Sequence, residues 1–252
     1  MVPGKHEKGQ AQEVTDARAL LYVGTSGYSY KEWKGHFYPE KIAAADMLRF
    51  YSSQFNSVEI NSTFYRMPTE KILASWSDQV PDSFAFVLKA SRKITHLKRL
   101  NGVEEELSYL VRTVGILGTR LGPMLFQLPP NMKKDVDRLE SFLGLLPDSL
   151  RTAFEFRHDS WFDSAVYEVL EKHNVALVWA DTEDTVMERM VPTADFGYLR
   201  LRREDYDSSD LDVWCEKAGG EKWKDAFAFF KHEEGGAGPA LASRFREIWD
   251  SR

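Results

Sequence analysis

The chain has 252 residues, 43% hydrophobic and 13% aromatic, enough to fill a sizeable core. Its 33 basic and 39 acidic residues leave a formal net charge of -6, which argues against a surface coated for non-specific nucleic-acid binding but leaves room for a local basic pocket. One cysteine, Cys215, excludes an internal disulfide, and no apolar run is long enough to cross a membrane, so a soluble protein of a reducing, cytoplasmic compartment is expected.

Residues 1–19 read as a loose polar tail without the apolar stretch of a signal peptide. Leu20 to Thr25 is a short apolar strand, followed by a loop rich in aromatics that includes Trp33. Asp46 stands where a helix cap is expected, before Met47, Leu48, Tyr51 and Phe55 at helical spacing. Ser57 to Asn61 alternates as a strand, with Val58 and Ile60 on one face and Glu59 and Asn61 on the other. Thr69 and Glu70 open a helix carrying Ile72, Leu73 and Trp76, and Phe84 to Lys89 is a third strand. A helix through Leu107, Leu110, Val114 and Leu117 leads to a fourth strand, Met124 to Leu128, stopped by two prolines.

After a helix marked by Leu139, Phe142 and Leu143 comes the stretch from Arg151 to Trp161. Here Phe154 and Phe156 share one strand face, while Arg151, Glu155 and Arg157 share the other. Asp163 caps the next helix, and strands follow at 176–181, 196–202 and 227–231, the first two joined by a short link with no helical face. Leu211 and Trp214 mark a helix before the last of these strands, and Leu241, Phe245, Ile248 and Trp249 a helix after it. Eight strands nearly all separated by helices lead to the expectation of a single (β/α)8 barrel of the TIM type over 20–252, irregular between strands six and seven. A doubly wound open sheet is the alternative; its glycine-rich first turn is matched only weakly by Gly24-Thr25-Ser26-Gly27.

Several segments resemble a known family. They are Gly24 to Tyr28 with Trp33 and Phe37-Tyr38-Pro39, Phe55 to Arg66, Phe126 to Pro130, Glu155 to His158 with Trp161, and Phe230 to Glu233. The pattern resembles the YecE-like family, domain of unknown function 72, from about Leu21 to Trp249. The resemblance implies a TIM-type barrel and carries no particular chemistry with it.

In such a barrel the functional residues lie at the carboxyl ends of the strands. Taking the inward face of each end collects Glu59, Glu155 and Asp181 as candidate catalytic acids or bases. The same rule gathers Lys89, Arg157, Arg200, Arg202 and Lys231, with Asn61 and Gln127, as candidate substrate contacts. Five cations against three acids leave two positive charges in excess, a field that draws in an anion. Tyr65, His158, Trp161 and Trp33 would rim the pocket. The glycine run Gly235, Gly236 and Gly238, with Gly238 as the cap and Pro239 in the first turn, fits a phosphate-binding helix start. The bland reading of the charges is mutual pairing.

No cofactor and no metal are expected. His36, His96, His158 and His232 have no short ligand spacing, and the surrounding cations oppose a divalent ion. The expected partner is a small phosphate- or carboxylate-bearing molecule; a nucleotide or nucleic-acid end fits the pocket, although the net charge does not favour nucleic acid, and no membrane partner is expected. The leading expectation is a hydrolase-type enzyme using acid/base chemistry. Its rivals are a non-catalytic anion sensor or scaffold, a metal-dependent phosphodiesterase or endonuclease, and a glycosidase.

Overall fold

A computed structural model describes residues 18–182, 190–203, 205–231 and 234–252. The strands are β1 (Leu20–Thr25), β2 (Ser57–Ile60), β3 (Ala85–Lys89), β4 (Leu121–Gln127), β5 (Thr152–Glu155), β6 (Ala176–Leu177), β7 (Trp179–Asp181), β8 (Phe196–Leu201) and β9 (Asp225–Phe230). Between and after them lie helices α1 (Met47–Gln54), α2 (Ser62–Tyr65), α3 (Glu70–Ser77), α4 (Glu104–Val114), α5 (Val136–Leu143), α6 (Ser164–Lys172), α7 (Ser208–Gly219) and α8 (Ala237–Asp250). Asp163 caps α6 by accepting from the Ala165 N–H, and Thr69 caps α3 through Ile72. Asp46 precedes α1 without a side-chain cap, because residues 44–46 already form a tight turn of helix.

All strand pairing is parallel, in two sheets: four strands in the order β1-β9-β8-β7 and five in the order β2-β3-β4-β5-β6. The single closed barrel expected from the strand count is therefore corrected to an α/β fold of two parallel sheets. Among the described residues the backbone ladder does not run continuously around. The stretch 176–181, expected as one strand, divides at Val178: Ala176 and Leu177 pair with β5, whereas Trp179 to Asp181 pair with β8.

At the other seam, β1 and β2 meet through one bridge, Ser26 to Glu59. Below that bridge the Asn56 side chain stands in for a strand: its Oδ1 accepts from the Val23 N–H at 2.9 Å and its Nδ2 donates to the Leu21 carbonyl at 2.8 Å. Gly24 permits the approach, since a Cβ there would lie 2.0 Å from the Ser57 carbonyl oxygen.

Strand alternation sorts the core into two parts. Val58, Phe86, Phe126, Phe154, Leu199 and Phe230 turn outward into the large core under the helices. Val87, Leu125, Ala153, Val178, Tyr198 and Phe229 make a smaller core where the two sheets face each other. On β2, β3, β4, β5 and β8 the next inward positions toward the carboxyl ends, Glu59, Lys89, Gln127, Glu155 and Arg200, are polar, and they form the site. Among the described residues no helix is long and apolar enough to cross a membrane.

Candidate functional site at the carboxyl ends of the strands

Arg200 is the centre. It sits two residues beyond the inward Tyr198 on β8, and it is fully buried. One terminal nitrogen donates to Glu155 Oε2 of β5; the other donates to Glu59 Oε1 of β2 at 2.5 Å. Longer contacts of 3.4 Å reach Gln127 Oε1 and Asn61 Oδ1. One guanidinium of the four-stranded sheet thus holds two carboxylates of the five-stranded sheet.

Glu59 is saturated. Its Oε1 also accepts from Ser26 Oγ at 2.7 Å and Asn61 Nδ2 at 3.1 Å, and its Oε2 accepts from the Tyr198 hydroxyl at 2.6 Å. Burial alone would raise this carboxyl; Arg200, Arg202 and the hydrogen bonds outweigh it and pull it down to about 2. Glu155 shows the same contest: burial pushes up, while Arg200, Arg202 and Arg157 bring it below the usual carboxylate range. Its Oε1 makes an ion pair with Arg157 Nη2 but has no well-aligned hydrogen bond.

The remaining cations differ in kind. Lys89 donates to Gln127 Oε1 at 2.8 Å and lies 4.4 Å from the centre of the Phe64 ring. Burial, then Arg200, push its ammonium down to about 8 against the opposing pull of Glu155 and Glu59. Arg202 has no ion pair among the described residues, and its buried Nε has no hydrogen-bond partner. Burial and the neighbouring Arg200 lower its pKa. Lys231 has an exposed side chain. Within the cluster, four cations (Lys89, Arg157, Arg200, Arg202) face two anions (Glu59, Glu155), an excess of two.

Asp181 does not join this group. Ala180 is the neighbour of Arg200 and shares its face, so Asp181, beside Leu201, turns outward. There its Oδ2 accepts from Trp214 Nε1 and Arg203 Nε at 3.0 Å and from Tyr206 at 2.8 Å. Two expected rim aromatics are interior. Trp33 is buried among Tyr30, Phe37 and Tyr38; Trp161 is buried flat on Phe156, its Nε1 donating to the Met132 carbonyl at 2.7 Å. Tyr65 is exposed. His158 accepts from the Ser160 N–H through Nδ1, a capping role.

The glycine run also differs in detail. Gly235 and Gly236 both take positive φ, at 54° and 76°, and Gly236 rather than Gly238 is the cap of α8. Gly238 is buried inside the helix, and Gly236 packs on His36 and Phe37. His232 lies outside the described residues. Among the described residues no three His, Cys, Asp or Glu side chains come together in a geometry that could hold a metal.

Ser26 and Tyr198 are site residues that charge-based reading passes over. Their signal is position: each occupies an inward place at its strand, Ser26 two after Gly24 and Tyr198 two before Arg200. Phe64 and His96, with rings 4.9 Å apart, complete the wall beside Lys89.

The family described as "Protein of unknown function DUF72" matches residues 22–252. The chain belongs to this family. The resemblance read from Gly24 to Tyr28, Phe55 to Arg66 and Glu155 to His158 therefore holds. UPF0759 protein YunF of Bacillus subtilis is 26% identical over 233 residues, which span 85% of this chain and 79% of YunF. UPF0759 protein YecE of Escherichia coli K12 is 26% identical over 144 residues, 57% of this chain and 50% of YecE, so that match spans about half of the relative.

Among solved structures, a DUF72 family protein of Thermotoga maritima superposes with a TM-score of 0.78 at 26% identity, covering 92% of this chain and 99% of its own. A methyltransferase from Methanosarcina mazei shares the fold alone, with a TM-score of 0.53 at 9% identity over 95% of each chain.

Proposed function

We propose that this DUF72 protein binds a small phosphate- or carboxylate-bearing molecule at the carboxyl-end cluster and acts on it by acid/base chemistry. The observation that carries the reading is Arg202. Arg202 is taken largely out of water with no carboxylate in ion-pair contact among the described residues; Glu155 and Glu59 act on it only from farther off and do not outweigh burial and Arg200, a cost that a bound anion would offset. Arg157 and Lys89 flank the same space and add donors. The excess of two positive charges would draw an anion inward even though the chain as a whole is acidic.

Glu155 is the proton acceptor in this reading. Glu59 is unsuited to the role, because four donors already occupy it. Glycosidase chemistry draws little support: Arg200 fills the space between the two carboxylates, and Trp33 and Trp161 are not open to a sugar ring. One observation favours a non-catalytic binder instead: three arginines hold Glu155 ionised, which weakens it as a base.

Calorimetric titration with inorganic phosphate and with a panel of small carboxylates tests the binding. Saturable binding that Arg202→Met abolishes is expected, and the absence of any anion binding would overturn the reading. Turnover of phosphoester substrates by the wild type, lost in Glu155→Gln, separates enzyme from binder.

A further inference from the structure

Among the described residues, Arg200 and Arg157 each touch a carboxylate, whereas Lys89, like Arg202, does not. The only hydrogen bond of its Nζ among the described residues goes to a neutral amide oxygen, Gln127 Oε1. That oxygen is shared with Arg200, whose charge opposes a second one nearby. The aliphatic stem follows the inward face of β3, above Val87, and the amine is covered on one side by the Phe64 ring. An amine that is desolvated, fixed by a neutral acceptor and set beside a permanent cation is placed to act as a nucleophile.

We infer that Lys89 is a carbonyl-reactive amine, forming an imine with a small anionic aldehyde or ketone whose carboxylate or phosphate is held by Arg202 and Arg157. This rests on the anion-binding reading above and names the substrate class for it. The step balances without an outside reagent. The ammonium gives up a proton, the nitrogen lone pair bonds to the carbonyl carbon, and the carbonyl oxygen becomes a hydroxyl. That hydroxyl leaves as water with the proton first released, so ammonium and carbonyl become iminium and water. Glu155 is the nearby ionised carboxylate able to take protons from the bound carbon compound afterwards, which gives it a use as a base that hydrolysis does not require.

The amine is also available. With its pKa pushed down to about 8, about a tenth of Lys89 is neutral at pH 7, against roughly one in three thousand for an ordinary lysine. The neighbours that set this balance are Arg200 and Arg202 on β8 and its extension, Glu155 on β5 and Glu59 on β2.

The test is borohydride trapping on the full chain at pH 7 with glyoxylate, an anionic aldehyde, at concentrations that leave ordinary surface lysines unmodified. Peptide mapping should place one carboxymethyl group on Lys89, formed at least about tenfold faster than on any other lysine, and inorganic phosphate should slow it. Lys89→Arg, which keeps the charge but removes the primary amine, should lose that label with no compensating gain on any other lysine. Labelling spread over surface lysines, or label on Lys89 indifferent to phosphate, would overturn the inference. If the wild type still binds phosphate in that case, the anion site stands and only the imine fails; if it binds none, both fall.

Discussion

Arg200→Met removes the one cation that, among the described residues, contacts both buried carboxylates. Glu59 would keep Ser26, Asn61 and Tyr198, and Glu155 would keep Arg157, but each would lose its closest cation. Leaving a buried charge without its partner costs about 3–5 kcal/mol. For a chain of this size that corresponds to a fall in Tm of roughly 6–20 °C. The depressed Glu59 carboxyl expresses the same contacts from the acid's side, set against burial by Arg200, Arg202 and the Tyr198 hydroxyl together. Its drop from the ordinary 4.5 to about 2 is worth about 3 kcal/mol of stability to the wild type.

The pH dependence carries a definite sign. Because the folded value is depressed, this stability is present above about 4.5 and is lost as pH falls through about 2. In the variant, burial would dominate and push both carboxyls up, so folding would favour their protonated forms at acid pH. The gap between wild type and Arg200→Met, measured by urea unfolding, should be widest at pH 7 and narrow toward pH 4. A gap below about 1 kcal/mol, or one equal at pH 4 and pH 7, would refute the role given to Arg200. The triple change Arg200→Met, Glu59→Gln, Glu155→Gln should recover much of the loss, since it removes the charges together.

Arg202→Met should leave the unliganded protein as stable as wild type or more so, while abolishing the stabilisation by phosphate. In the wild type at a hundredfold excess over Kd that stabilisation is about 2.7 kcal/mol, read by thermal shift. Gly24→Ala should cost about 3 kcal/mol, because its Cβ meets backbone at 2.0 Å rather than a movable side chain; an unchanged urea midpoint would show that the seam yields. Trp161→Phe should cost about 1 kcal/mol for the lost bond to Met132 and leave anion binding intact, whereas a matching loss of binding in calorimetry would return Trp161 to the pocket.

Local alternation makes most of the cluster legible in the sequence alone. Glu59, Lys89, Glu155, Arg157 and Arg200 lie on inward faces because their neighbours Val58, Leu88, Phe154, Phe156 and Leu199 are apolar and must face the helices. Asp181 is misplaced by the same rule applied to the wrong face. Trp179 is large enough for either side, and Ala176, Val178 and Ala180 are small enough to hide that they point inward. Sheet closure is not legible, because it depends on pairings between distant strands and on the break at Val178, which no local pattern marks. The cap of α8 is displaced by two residues because three nearby glycines offer equal freedom, and only packing on His36 selects Gly236.

A side-chain amide standing in for a strand gives the β1–β2 seam an unusual vulnerability. Elsewhere a sheet is protected residue by residue; here two backbone groups of β1, the Val23 N–H and the Leu21 carbonyl, depend on the single planar group of Asn56. Without it, β1 would present a short unpaired edge, the template on which strands of other molecules add. Hydrolysis of that amide to a carboxylate would remove the donor and set a negative oxygen against the Leu21 carbonyl. Slow chemical ageing at one asparagine would then show itself as association between molecules rather than as loss of the charged cluster.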